Sequence, residues 1–274
     1  MSSLLPFRAG LVSVTFRKLP AETVAHLAVE AGLSVIEWGG DLHVPHGDVG
    51  RAKAIGALSR NLGLATGYGS YYRAGVSETA GLSFESVLDS ALALGAGLIR
   101  VWAGDRGSAA ADDAHWARVV QDTRRIATLS AHAGIRVAFE RHGGTLTDTD
   151  ETHRRLLAAC AEPHLLTYWQ PDPVQSAEDN RLSLTSLLDR LANVHVFYWT
   201  APPIRRWPLA DGHKDWRLYL DLLRGSPQPH DLLLEFVEND DPAALRRDAA
   251  LLHGWVDALN RNSPGIQAEA IKRP

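Results

Sequence analysis

The 274-residue chain has a single cysteine, Cys160, so it can form no internal disulfide and its core must hold by packing. Cys160 lies in the helical run Leu156 to Ala161, where it reads as a small buried hydrophobe rather than a nucleophile. Basic residues are not in excess, since 28 Lys and Arg against 32 Asp and Glu leave a net charge of −4. That balance offers no electrostatic case for a nucleic-acid partner. Long apolar runs are missing too. None approaches the roughly 18 residues that span a bilayer, and Met1 to Gly10 lacks a signal-peptide pattern. A cytoplasmic protein without a membrane partner is therefore expected. What is present is an ordinary globular balance, 45% hydrophobic and 22% charged. The length suits one barrel of about 250 residues.

Short β-type runs alternate with longer amphipathic ones. The candidate strands are Gly10–Thr15, Ser34–Trp38, Leu64–Tyr68, Leu98–Trp102, Arg136–Glu140, Leu165–Trp169, Val194–Trp199 and Leu232–Phe236. Most are compact and apolar, as strands of a parallel sheet covered on both faces must be. Between them, apolar residues recur at three- and four-residue steps in Ala21–Ala31, Phe84–Leu94, Ala114–His132 and Leu184–Leu191. Asp241-Pro242, Thr147-Asp148 and Asp215 stand where helix caps and first turns are expected. Gly32, Gly63 and Gly134 mark stops from which the chain re-enters a strand. Eight such units without a composition break predict an α/β fold, a (β/α)8 barrel of one domain over residues 1–261. Residues 262–274 read as a flexible C-terminal tail.

A barrel of this kind works at the C-terminal ends of its strands. There the fifth strand ends in Glu140, the sixth in Trp169-Gln170-Pro171-Asp172, the seventh carries His195 and the eighth reaches Glu235. Closure of the barrel would gather these oxygen and nitrogen donors from four adjacent strands into one cluster. Oxygen donors with one imidazole suit Mn, Mg, Co or Zn as a divalent cation.

These residues, together with Ile36-Glu37-Trp38 on the second strand, make the chain from Gly10 to about Leu259 resemble the xylose isomerase-like TIM barrel superfamily. The group includes sugar and sugar-phosphate isomerases and epimerases, inosose dehydratases and endonuclease IV-type enzymes. In its isomerases and epimerases, Glu, Asp, His and Glu hold a divalent metal and the two glutamates pass a substrate proton. The resemblance implies Glu140, Gln170, His195 and Glu235 as metal ligands here, with Glu140 and Glu235 also catalytic. Gln170 stands where the family usually has Asp, and Asp172 is the alternative ligand. Two carboxylates then balance a dication, which implies weaker metal binding and a more electrophilic ion. An endonuclease IV-type role needs a multi-zinc site rich in His and Asp, for which these strand ends offer too few groups.

The expected activity is that of a metal-dependent isomerase or epimerase acting on a sugar, sugar phosphate or related polyol. Its proton would move between the two glutamates by way of an enediolate steadied by the metal. Two alternatives stand beside it: an inosose dehydratase-like lyase, and a non-catalytic sugar-binding protein with a degenerate metal site. Candidate substrate contacts are His43, Tyr71, Trp102, His142 and Arg206, the last offering a grip on a carboxylate or phosphate. Trp38, Trp102, Trp169 and Trp199 all end strands and are expected near the mouth. Gly67 and Gly69 do not make a dinucleotide fingerprint, because the third glycine is missing. The partner implied is a small carbohydrate, and exposed barrel helices predict a homodimer or homotetramer.

Overall fold

Each apolar run pairs with its neighbours in parallel, because the helix that follows it carries the chain back over the same face. The computed structural model describes residues 7–226, 228 and 230–261. Its strands are β1 (Phe7–Val12), β2 (Val35–Gly39), β3 (Ala65–Arg73), β4 (Leu98–Trp102), β5 (Arg136–Glu140), β6 (Leu165–Trp169), β7 (Leu191–Val196) and β10 (His230–Leu234). They close in the order β1-β10-β7-β6-β5-β4-β3-β2. The minor strands β8 (Trp199–Thr200) and β9 (Arg205–Arg206) form an antiparallel hairpin above the barrel. The helices α1 (Ala21–Glu30), α2 (Val49–Asn61), α3 (Phe84–Leu94), α4 (Asp113–His132), α5 (Asp150–Cys160), α6 (Ala177–Leu187), α7 (His213–Leu223) and α8 (Pro242–Arg261) surround it. The fold is therefore the (β/α)8 barrel that the alternation predicts. The expected tail, 262–274, lies outside the described residues.

β4, β5 and β6 have the bounds expected from the sequence, whereas β1, β7 and β10 each begin two or three residues earlier. The reason is a polar floor. Arg8, Asn193 and Asp231 face into the barrel near its N-terminal end, where Arg8 Nε donates to Asp231 Oδ1 at 2.7 Å and the Asp231 amide donates to Asn193 Oδ1 at 3.2 Å. A search for apolar alternation passes over these strand starts. Above the floor lies an apolar plug that includes Val12, Val35, Leu98, Ala138, Tyr168 and Leu233. Because side chains alternate across a strand, the next inward position along several strands lies directly above that plug. Helix starts hold as physical chemistry dictates: Asp241 accepts from the Ala243 amide, and Thr149, one residue past the expected cap, accepts from Thr152. α6 begins at Ala177 rather than Leu184, since its first turns are polar and Ser176 caps them.

Candidate active site

The layer above the apolar plug is charged. Glu37 from β2, Arg100 from β4, Glu140 from β5 and His195 from β7 all turn inward and are almost wholly buried. Arg100 joins the two sides of this layer. Its Nε donates to Glu37 Oε1 at 3.0 Å and its Nη1 donates to Glu140 Oε2 at 2.5 Å. The Trp102 indole N–H donates to the same Glu140 oxygen. Gly69 on β3 makes the space: a Cβ there would stand 2.5 Å from Glu37 Oε1 and 2.7 Å from Arg100 Nη2. Of the β3 glycines it is Gly69 that this pair crowds, since a Cβ at Gly67 would meet Glu37 only at 3.8 Å.

His195 is the hub of the second half. Its Nδ1 lies 3.1 Å from Gln170 Oε1, 3.3 Å from Glu140 Oε1 and 3.4 Å from Glu235 Oε2. A ring nitrogen carries at most one hydrogen, yet three oxygens from three residues crowd it. A cation shared among these four donors would satisfy all of them, and separations just above 3 Å are those between neighbouring ligands of one small ion. Glu140, His195 and Glu235 offer ligand atoms that lie within 4.8 Å of one another. The donor set fits a divalent metal, and Gln170 Oε1, 3.1 Å from His195 Nδ1, stands beside it. The opposite nitrogen, Nε2, has no hydrogen-bond partner and lies 3.7 Å from Glu37 Oε1.

Electrostatics follow from burial and these partners. Burial drives the Glu37 and Glu140 carboxyls upward, but the Arg100 guanidinium and the His195 ring outweigh it and hold both below the ordinary carboxylate range. Burial pushes the His195 ring down, and the surrounding carboxylates, Glu235 foremost, reverse this and raise it well above its usual value. With a metal in place, the same carboxylates would serve the ion instead.

Of the residues expected from sequence, Glu140, Gln170, His195 and Glu235 come together. Asp172 does not join them: it accepts from the Val174 amide at 3.1 Å and faces Arg141 at 3.6 Å. Trp102 lines the layer, with Tyr71 edge-on at 5.1 Å and His142 tilted against it at 4.7 Å. Both ring nitrogens of His43 are hydrogen-bonded within the protein. Its Nδ1 bonds the Ser13 hydroxyl at 2.9 Å and its Nε2 donates to the Leu19 carbonyl at 3.1 Å, so neither nitrogen is left for substrate. Arg206 is committed elsewhere too, paired with Asp240 at 2.6 Å while its guanidinium covers Phe236 at 4.5 Å. It ties the hairpin down to the segment after β10.

The expectation of four tryptophans at the mouth is half corrected. Trp38 and Trp169 point outward into the helices, where their indole N–H groups donate to Ser59 and Ser183. Sequence reasoning did not assign Glu37 and Arg100 to the site. The signal was present: a charge at the centre of Val35-Ile36-Glu37-Trp38 and another in Leu98-Ile99-Arg100-Val101 are tolerated in buried strands only if paired.

Solved structures share this fold. The probable 3-DHS dehydratase AsbF from Bacillus anthracis aligns with a TM-score of 0.73 and 19% identity, covering 90% of this chain and 98% of its own. An L-ribulose 3-epimerase aligns with a TM-score of 0.72 at 16% identity over 97% of this chain and 98% of its own. A xylose isomerase-like TIM barrel protein from Mycobacterium smegmatis, solved in complex with magnesium, aligns with a TM-score of 0.72 at 13% identity over 92% of this chain and 97% of its own. At these identities the likeness is one of fold. No match to a curated protein sequence was found. Among the described residues, no helix is long and apolar enough to cross a membrane. The family model "Xylose isomerase-like TIM barrel" matches residues 25–254, and the chain belongs to that family.

Proposed function

We propose that this chain is a divalent-metal-dependent isomerase or epimerase of a sugar, sugar phosphate or related polyol, moving a proton next to a carbonyl. The observation that carries the reading is the crowding of Glu140, Gln170 and Glu235 oxygens around one nitrogen of His195. Those four residues would hold the ion, which when bound supplies Lewis acidity that makes a hydrogen beside a coordinated carbonyl acidic. Glu140 and Glu235 are the carboxylates able to remove and return that hydrogen. Trp102, Tyr71 and His142 form an aromatic wall suited to the C–H face of a sugar. The His142 Nδ1 donates to the Gly143 carbonyl at 2.7 Å, which leaves Nε2 to accept from a substrate hydroxyl.

The test is exchange. Protein loaded with Mg2+ or Mn2+ is incubated in D2O with ketoses, inososes and sugar phosphates, and the sugars are examined by mass spectrometry. Deuterium uptake without loss of water is expected. Loss of one water from the product would instead establish a dehydratase, and uptake by none would overturn the proposal.

A further inference from the structure

A separate cleft of about 210 Å³ opens between the chain leaving β6, the chain leaving β7 and the N-terminal halves of α6 and α7, and none of Glu140, Gln170, His195 or Glu235 lines it. One side is aromatic. Phe197, Tyr198 and Trp199 follow β7, with the Phe197 and Trp199 rings stacked at 3.9 Å. Trp216 and Tyr219 of α7 meet edge to face at 5.4 Å and are almost wholly buried. The Trp216 indole donates to the Phe197 carbonyl at 2.9 Å, which locks the helix to the end of the strand. The opposite side is Pro171-Asp172-Pro173, and Asn180 holds it in place by accepting from the Asp172 amide at 2.7 Å and donating to the Asp172 carbonyl at 3.0 Å. The walls are therefore fixed before anything enters.

The charges in this cleft are of one sign. Asp172 and Asp215 line it and no basic side chain does. Asp172 Oδ1 accepts from the Val174 amide, but its Oδ2 has only Arg141 at 3.6 Å, beyond hydrogen-bond reach, and that guanidinium also serves Asp150 at 3.2 Å. Asp215, in the first turn of α7, accepts no side-chain hydrogen bond and joins no ion pair among the described residues. The Trp199 indole nitrogen is buried and likewise bonds nothing among them. An anion would meet two carboxylates with no cation to receive it, and an apolar guest would leave both without a partner. Aromatic faces carry negative charge and attract a cation laid against them, the more so where water is thin. We propose that this cleft binds a small organic cation, an alkylammonium of the amino-alcohol class, whose charge lies between the rings and the two carboxylates and whose hydroxyl oxygen accepts from the Trp199 indole. The volume falls below the roughly 300 Å³ at which pockets for drug-sized molecules begin, which keeps the guest small.

The experiment titrates the 15N-labelled full chain and follows its indole N–H signals by NMR, with the Trp199 signal identified from its loss in Trp199→Phe. Three probes are compared: choline, its neutral isostere 3,3-dimethylbutan-1-ol, and methyl glucoside. Choline is expected to shift the Trp199 signal saturably and to bind about tenfold more tightly than the neutral alcohol, the usual worth of a cation against aromatic faces. Added salt should weaken choline and leave the alcohol unchanged. Asp215→Asn, whose side chain bonds nothing in the fold, is expected to weaken choline about two- to fivefold, as loss of a partly exposed ion pair does, without affecting the alcohol. The double variant with Asp172→Asn should weaken it further, with folding checked by circular dichroism. Equal affinity for choline and the neutral alcohol, a preference for methyl glucoside, or no saturable shift with any probe would each overturn the proposal. None of these results bears on the metal cluster, so the function proposed above stands or falls separately.

Discussion

Replacing Arg100 with Gln probes the charged layer most directly. The guanidinium is 2% exposed and bonds two carboxylates that are themselves nearly inaccessible. Its removal strands Glu37 and Glu140 in the barrel interior with His195 as their main remaining partner. Losing one member of a buried ion pair typically costs 3–5 kcal/mol, because the survivor keeps its desolvation penalty. At roughly 2–4 °C per kcal/mol for a domain of this size, the melting temperature should fall by about 6–20 °C. Scanning calorimetry of the metal-free protein measures this. The double variant Glu37→Gln with Arg100→Gln should recover about 1–3 kcal/mol of the loss, since one stranded carboxylate is then gone. Mg2+ should raise the melting temperature of the single variant more than that of the parent, because the ion replaces the missing positive charge. If Arg100→Gln lies within about 1 kcal/mol of the parent and shows no coupling to Glu37, the layer is not held by this guanidinium and the reasoning fails.

Three further outcomes test other parts of the structure. Gly69→Ala places a Cβ 2.5 Å from Glu37 Oε1 and should cost about 1–3 kcal/mol by overpacking, whereas the nearest atom to a Cβ at Gly67 is 3.8 Å away, so Gly67→Ala should cost less. Urea titrations compare the two, and equal losses would show that the close fit at Gly69 is not what matters. If the four donors hold a divalent ion, Mg2+ at a hundred times its dissociation constant should stabilise the protein by about 2.7 kcal/mol. EDTA should reverse that gain, Glu235→Gln should abolish most of it, and an unchanged gain in that variant would place the ion elsewhere. The third concerns His153 on α5, whose Nε2 is paired with the Thr167 hydroxyl at 3.1 Å and whose Nδ1 has no partner. Burial, helped by the charge of Arg141, lowers His153 to about 3. The unfolded chain takes up a proton below about 6.5 while the folded one does not, so this contribution is present above 6.5 and is lost as pH falls toward 3, at up to about 1.4 kcal/mol per pH unit. His153→Gln should flatten that slope in denaturation measured between those limits, and an unaltered slope would exclude the residue as its source.

The barrel itself was legible because its strands are buried on both faces and its helices are amphipathic, so the two periods separate cleanly along the chain. Glu140, Gln170, His195 and Glu235 could be placed together because barrel closure makes consecutive strand ends neighbours. Two things escaped for physical reasons. Strand starts were hidden where Arg8, Asn193 and Asp231 form a polar floor inside the barrel, since inward positions there satisfy one another rather than being apolar. Nothing local to His43 and Arg206 reveals that they bond Ser13, Leu19 and Asp240, residues of other segments.

The charge balance of the site depends on the pair that sequence reasoning left out. Counting Glu140 and Glu235 alone, a dication is neutralised, and Gln170 seems to cost the site an anion. Glu37 and Arg100 belong to the same buried layer, and their opposite charges cancel. The cluster therefore still presents two net negative charges around His195. What the pair changes is not the total but its distribution. Arg100 reaches past Glu37 to the outer oxygen of Glu140, while Glu235 faces the His195 ring at 3.4 Å. Two glutamates that look interchangeable along the chain are made different by a cation forty residues before one of them, on the neighbouring strand.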